Sequence, residues 1–103
     1  MRHVRITPEA EFSVVAGTER SQAAVMVLDP GSTTGSVDNT HRYCDQWLYV
    51  LSGEGKAVVE GVDIPLQPGV LLLIERGEVH EIYAGEKRLD TLNFYAPPEY
   101  PVD

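Results

Sequence analysis

The chain of 103 residues has little cysteine, few basic residues and no long apolar segment. Its only cysteine, Cys44, cannot form an intrachain disulfide, so we expect a core-stabilised fold in a reducing compartment. Sixteen acidic residues against eight Lys and Arg give a formal charge of -8, and the basic residues form no patch for nucleic acid. No apolar run approaches the ~20 residues that cross a bilayer, and "MRHVRITPEAEF" does not suit a signal peptide. We therefore expect a cytoplasmic protein without a nucleic-acid or membrane partner.

Helical periodicity is also missing, since the best candidate, "TPEAEF", spans barely more than one turn. Short apolar runs follow one another instead, and almost all of them end in Gly or Pro: "FSVVAG", "AAVMVLDPG", "QWLYVLSG", "GKAVVEG", "VLLLIERG", "VHEIYAG" and "LDTLNFYAPP". This spacing is typical of an antiparallel sandwich or barrel. The loops between them include residues 29–39. We predict a single all-β domain over residues 1–103 with at most one helical turn.

The stretch "NTHRYCDQWLYVLSGEG", residues 39–55, runs from a polar patch into an apolar strand. Asn39 and His41 share a face if the segment is extended, and Gln46 returns to that face only if the intervening residues turn. His80, in a later strand, is the other histidine of interest. Imidazole nitrogens and amide oxygens can ligate divalent cations. They are equally able to form a hydrogen-bonded polar rim, so residue chemistry alone leaves both readings open.

The same stretch resembles the first motif of the cupin superfamily, written G-x5-H-x-H-x(3,4)-E-x6-G. With the last glycine on Gly53, the glutamate position falls on Gln46, the second histidine on His41 and the first histidine on Asn39. The leading glycine position falls on Thr33. The match is weak by letters and better by chemistry, since amides stand at two ligand positions.

The stretch "PGVLLLIERGEVHEI" resembles the second cupin motif, G-x5-P-x-G-x2-H-x3-N. Gly69, Gly77 and His80 stand on its glycines and histidine, while Glu75 replaces the proline and Ala84 the asparagine. The resemblance covers about residues 23–95. It implies a jelly-roll β-barrel, or double-stranded β-helix, followed by a proline-rich tail at 96–103.

The resemblance further implies one divalent metal ion, of Fe, Ni, Zn, Mn or Cu, held by Asn39, His41, Gln46 and His80. Such a site would bind or act on a small molecule, and the family suggests dioxygenase, isomerase or lyase chemistry. The alternative is a cupin that senses or stores a small ligand without metal or catalysis. These residues identify neither a substrate nor a reaction.

Three further expectations concern the surroundings of this site. Trp47, Tyr49 and Leu51 should point outwards and form a homodimer interface, because an apolar stripe on a monomer would be an exposed patch. Glu78 and Glu81 have the opposite strand parity from His80 and should point away from the cavity. Tyr43, Cys44 and His3 carry no motif position and are expected to be loop or solvated residues.

Overall fold

The computed structural model describes residues 1–9, 11–35 and 43–100. Within these ranges all regular structure is β, and nine strands occur in chain order: β1 Phe12–Gly17, β2 Gln22–Leu28, β3 Thr33–Gly35, β4 Asp45–Ser52, β5 Gly55–Val59, β6 Val62–Leu66, β7 Leu71–Ile74, β8 His80–Ala84 and β9 Leu89–Ala96. No helix in this part of the chain is long and apolar enough to cross a membrane.

The strands form two antiparallel sheets. The five-stranded sheet has the order β1-β2-β9-β4-β7, and the four-stranded sheet has the order β3-β8-β5-β6. Their inner faces enclose one main apolar cluster, whose fully buried members include Leu48, Val50, Leu66, Ile82 and Leu89. Each such side chain contributes roughly 2 kcal/mol of transfer free energy, so this core holds the barrel together without a disulfide. The all-β jelly-roll prediction is confirmed.

Each of the seven apolar runs contains a strand, but two strands were not predicted from the sequence. The short strand β3 lies in the segment 29–39 that we expected to be a loop, and it pairs with β8 from Thr33↔Tyr83 to Gly35↔Glu81. The second is β6, "VDIPL", which contains Pro65. Its position at the edge of the four-stranded sheet explains why it tolerates a residue without an amide donor.

The hairpin between β4 and β5 depends on two glycines of "SGEG". Gly53 has a φ of 87°, and a Cβ built on it would lie 1.8 Å from the Arg88 carbonyl oxygen. A Cβ on Gly55 would lie 2.0 Å from the Tyr83 carbonyl oxygen. Only glycine allows this close approach of two backbones, so the turn predicted from the sequence is also a packing requirement.

Alternation along β4 determines which side chains enter the barrel. Gln46, Leu48 and Val50 are buried, whereas Trp47 and Tyr49 are each 39% exposed. These five residues lie on the faces that the sequence predicted. The pattern places Gln46 on the same inner surface as the apolar core, at the end of the strand where that core becomes polar.

Candidate functional site

The inner face of the five-stranded sheet changes from apolar to polar along its length. At one end Gln22 and Gln46 are the cross-strand neighbours of Tyr95, on its two sides. Asn93 and Thr91 follow on the same face of β9. All five side chains are almost fully buried. Buried polar groups of this kind need partners, so their hydrogen bonds show what each one does.

Three of these side chains form a continuous chain of hydrogen bonds. Gln46 Nε2 donates to Asn93 Oδ1 at 2.9 Å, Asn93 Nδ2 donates to Thr91 Oγ1 at 3.0 Å, and the Thr91 hydroxyl donates to the Met26 carbonyl at 2.9 Å. The chain begins at a side chain near the end of the sheet and ends on the backbone of β2. We refer to Gln46, Asn93 and Thr91 as the amide relay.

The relay leaves one polar atom unsatisfied. Gln46 Oε1 is the buried side-chain oxygen or nitrogen, within the described residues, that has no hydrogen-bond partner. The Gln46 side chain is only 3% exposed, so solvent does not compensate this oxygen directly. Leaving a buried carbonyl unpaired costs about 1 to 3 kcal/mol, and an uncompensated cost of this kind calls for an explanation.

His80 is the buried histidine of the opposite sheet. It is the first residue of β8, is 3% exposed and faces inwards together with Ile82. Its Nδ1 lies 3.2 Å from the Glu78 carbonyl oxygen. A carbonyl can only accept, so Nδ1 is the protonated nitrogen of this pair and the lone pair of a neutral ring is on Nε2. This is how protein backbones commonly orient a metal-binding imidazole.

The chain connectivity places Gln46 and His80 at the same end of the barrel. Gln46 pairs with Ile74, the last residue of β7, and the turn that follows leads to His80. The Arg76 amide in this turn donates to Asp45 Oδ1 at 3.0 Å, which ties the turn to the start of β4. The two buried candidate ligands thus flank one short connection between the sheets.

The other two predicted ligands, Asn39 and His41, lie outside the described residues. Within the described part of the chain, no three His, Cys, Asp or Glu side chains gather into a group that could hold a metal ion. The predicted set contains two amides, so it does not depend on such a group. Gln46 Oε1 and the oriented imidazole of His80 suit a divalent cation, since each supplies a neutral donor atom from a buried position. The four-residue site remains a prediction.

A second buried polar region lies on the other side of Tyr95, where the C-terminal segment returns to the barrel. Gln22 Nε2 donates to the Tyr100 carbonyl at 2.8 Å, and the Tyr100 amide donates to Gln22 Oε1 at 3.1 Å. The Tyr100 ring packs 4.7 Å from the Phe12 ring and 5.1 Å from the Tyr95 ring, centre to centre. Gln22 thus uses both ends of its amide to anchor the tail.

Cys44 belongs to this second region, contrary to the expectation of a simple loop thiol. The side chain is 1% exposed, packs with Ala24 and Tyr95, and donates from Sγ to Glu99 Oε2 at 3.2 Å. Burial, together with the adjacent Glu99 carboxylate, raises the pKa of the Cys44 thiol to about 12. The thiolate is the reactive form, so Cys44 is a structural rather than a nucleophilic cysteine.

A cavity of about 450 Å³ lies beside the second region. Its walls include Phe12, Met26, Tyr95 and Tyr100, and Glu11 lies at its edge. The Met26 carbonyl receives the end of the amide relay, and Tyr95 is the cross-strand neighbour of Gln46. The volume falls within the range of small-molecule pockets. The lining combines three aromatic rings with polar groups that include Glu11, Thr33 and Thr34.

The glutamates near His80 have local partners. Glu78 Oε1 accepts the Glu75 amide at 2.7 Å within the turn, and Glu81 accepts from the Tyr83 hydroxyl at 2.6 Å. Glu81 alternates with the buried His80 and Ile82, as its strand parity predicted. Tyr43 is 76% exposed. The contacts of Glu78 and Glu81 therefore add no carboxylate to the interior beside His80.

Sequence analysis missed Asn93, Thr91 and Gln22. The pattern that could have revealed the first two is in β9, "LDTLNFYA", where Thr91, Asn93 and Tyr95 alternate onto one face. By its apolar residues alone, the run "LDTLNFYAPP" indicates only an apolar strand. Gln22 precedes its apolar run by one residue, and no local pattern announces its contact with Tyr100, 78 residues away.

Together the two sheets and the polar end define a small β-barrel with an inward-facing cluster of buried polar side chains. The cupin domain family matches residues 24–95, and the chain belongs to this family. No curated protein matches the chain.

Solved structures support the same fold. KdgF from Halomonas sp. is 24% identical over 93% of this chain and 87% of its own, with a TM-score of 0.78. A protein from Thermus thermophilus is 25% identical over 91% of this chain and 90% of its own, with a TM-score of 0.75. An uncharacterised protein with a double-stranded β-helix domain from Klebsiella pneumoniae is 26% identical over 82% of this chain and 74% of its own, with a TM-score of 0.75.

Proposed function

We propose that this cupin binds one divalent metal ion at the polar end of its barrel and a small molecule beside it. The observation that carries the proposal is Gln46 Oε1, a buried carbonyl oxygen without a hydrogen-bond donor. A cation satisfies such an oxygen without needing a proton. His80, fixed by the Glu78 carbonyl at the same end of the barrel, supplies a nitrogen donor.

The other two ligands in this proposal are Asn39 and His41, by their match to the first cupin motif. Two imidazoles and two amides form an uncharged set, in which Gln46 stands where the family pattern has a glutamate. An uncharged set binds a divalent cation less tightly than one with a carboxylate. It leaves more of the metal's charge available to polarise a ligand oxygen or a bound water, which is the chemistry that the metal would supply.

The small molecule in this proposal occupies the 450 Å³ cavity. Phe12, Tyr95 and Tyr100 provide aromatic walls, and Met26 provides a polarisable floor. A ligand that fits there would have an apolar or ring-shaped body and polar groups that pair with the polar part of the lining. The cupin resemblance suggests isomerase, lyase or dioxygenase chemistry for a ligand of this kind.

The test is the metal content of tag-free protein purified without chelator, measured by elemental mass spectrometry. We expect about one equivalent of a transition metal per chain, lost in His80→Ala because that substitution removes a nitrogen ligand. His3→Ala is the matched histidine control, since His3 is exposed and matches no motif position.

Metal content that stays below a tenth of an equivalent, even after metal is offered, would contradict the metal site. Stabilisation by small molecules, unaffected by chelator, would then support the alternative of a metal-free binding cupin. Equal loss of metal in His80→Ala and His3→Ala would show that the losses are not site-specific.

The proposal extends to a homodimer formed through the outer face of the five-stranded sheet. Trp47 lies between Leu73 and Phe94 in register, and Tyr49 lies beside Leu71. These side chains are between 38% and 56% exposed and form one apolar stripe. Leu51 does not join them as expected, because the register shifts after Val50 and it becomes partly covered. Analytical ultracentrifugation should give twice the mass of one chain, and a monomer at micromolar concentration would argue against this interface.

A further inference from the structure

We infer that Asn93 and Thr91 are positioning residues that force Gln46 to present its carbonyl oxygen, and not its amide nitrogen, to the barrel interior. This inference rests on the proposed function for the identity of the partner, but the orientation itself follows from the hydrogen bonds. It makes the site selective for a cation or a hydrogen-bond donor over an anion or a hydrogen-bond acceptor.

The direction of the amide relay is fixed from its backbone end. The Met26 carbonyl can only accept, so the single Thr91 hydroxyl proton is used on it. Thr91 Oγ1 therefore meets Asn93 as an acceptor, and the Asn93 atom at 3.0 Å has to be the amide nitrogen. The Asn93 amide orientation is thus determined by its hydrogen-bond partners alone.

The same logic passes to Gln46. With Nδ2 turned to Thr91, Asn93 faces Gln46 with Oδ1, which accepts at 2.9 Å from Gln46 Nε2. Gln46 Oε1 is then the end that remains without a donor. Reversing the Gln46 amide would set two carbonyl oxygens against each other inside the protein, where neither has solvent to separate them.

The relay is buried along its whole length, with Asn93 and Thr91 fully inaccessible and Gln46 nearly so. Gln46 lies on β4, Asn93 and Thr91 lie on β9, and the relay ends on β2, so three adjacent strands hold its geometry. A simple structural role would predict that every polar atom is paired, as it is at Gln22. In the relay every side-chain polar atom is paired except Gln46 Oε1. A metal ligand whose orientation is held by hydrogen bonds to neighbouring side chains has this arrangement.

The chemistry of the site follows from this orientation. A group that offers a lone pair, such as a carboxylate or phosphate oxygen, would be repelled by Gln46 Oε1 unless a cation stands between them. A divalent cation, an ammonium or a hydroxyl would be accepted directly. The glutamate of the family pattern offers a charged oxygen to a cation. The relay lets the uncharged Gln46 offer an oxygen in the same place, because it fixes the orientation of the amide.

The direct test is NMR spectroscopy of the metal-free protein labelled with ¹³C and ¹⁵N. We expect a scalar coupling through the hydrogen bond from Gln46 Nε2 to Asn93 Cγ, because the nitrogen donates to that carbonyl. No such coupling, with the side-chain signals assigned, would overturn the inference. This measurement needs no bound metal and so is independent of the proposed function.

The functional consequence is tested by titrating the protein with Ni²⁺ alone. Thr91→Val removes the acceptor for Asn93 Nδ2, so both amides can reverse, and we expect Ni²⁺ affinity to fall roughly tenfold or more. Thr91→Ser keeps the hydroxyl and serves as the matched control. Affinity in Thr91→Val equal to that in Thr91→Ser would overturn the selectivity part of the inference.

Gln46→Glu separates orientation from general damage. A carboxylate has no nitrogen to donate to Asn93 Oδ1 and accepts in either rotation, so Asn93 has to reverse its amide to pair with it. Adding Thr91→Val to Gln46→Glu frees that reversal, and it should therefore lower Ni²⁺ affinity by less than the same substitution does in the parent chain. An undiminished loss would contradict the inference. If no variant binds Ni²⁺ while the through-hydrogen-bond coupling is present, the metal proposal fails and the orientation of Gln46 stands.

Discussion

Gln22 and Gln46 lie on the two sides of Tyr95 in one sheet, and both are almost fully buried, at 1% and 3% exposed. Gln22 uses both ends of its amide on the Tyr100 backbone, whereas Gln46 uses its nitrogen on Asn93 and leaves its oxygen without a donor. The residue type, the strand environment and the burial are the same. What separates the two glutamines is whether their side-chain hydrogen bonding is complete.

The two regions also differ in what surrounds the amide. Gln22 anchors a tail segment whose ring contacts and whose Cys44–Glu99 pair form a closed cluster. Burial raises the pKa of the Tyr95 and Tyr100 phenols, so both phenols stay protonated at neutral pH. Gln46 lies beside the turn that connects β7 to β8. The polar groups of Gln22 are satisfied by the chain itself, and in our proposal a ligand completes the hydrogen bonding or coordination of Gln46.

The largest effect expected from this comparison is on stability, in Gln22→Met. The substitution preserves size but removes both hydrogen bonds to Tyr100, leaving a partly buried amide and carbonyl without partners. We expect the free energy of unfolding to fall by about 2 kcal/mol, measured by urea denaturation. Loosening of the tail should also speed labelling of Cys44 by a maleimide, which reports the tail separately from global stability.

Gln46→Met should have a smaller effect in the same measurement. It removes one hydrogen bond but also removes the desolvated Oε1, and these two contributions oppose each other, so we expect a loss of less than about 1 kcal/mol. The labelling rate of Cys44 should stay at the parental value. Equal losses of stability in the two variants, or a greater loss in Gln46→Met, would break the distinction between the two glutamines.

Much of the fold could be predicted from the sequence, because alternation and turn residues are local features. The alternation of residues along β4 predicted that Gln46, Leu48 and Val50 point into the barrel. The spacing of the second cupin motif identified His80 as a candidate ligand. The strand β3 was not predicted, because the three residues "TTG" are too few to show an alternating pattern. The strand β6 was not predicted because it contains Pro65, and proline is compatible with a strand mainly at the edge of a sheet. Whether a strand lies at an edge depends on the whole sheet and cannot be read from the local sequence.

The candidate site was only half accessible to sequence reasoning. Gln46 and His80 were found through motif positions, but Asn93 and Thr91 act on Gln46 from a strand more than forty residues away. Their role depends on the register of β9 against β4 and β2, which no local pattern specifies. Asn39 and His41 stay predictions, because they lie outside the described residues.

The most direct test of the account is a Zn²⁺ titration of the labelled protein, followed by the side-chain Cδ chemical shifts of both buried glutamines. Zn²⁺ is diamagnetic, so coordination through Oε1 should move the Cδ signal of Gln46 while that of Gln22 stays in place. The account predicts that the Gln46 shift saturates near one equivalent of Zn²⁺. An unmoved Gln46 signal at saturating Zn²⁺, or equal shifts of both glutamines, would contradict it.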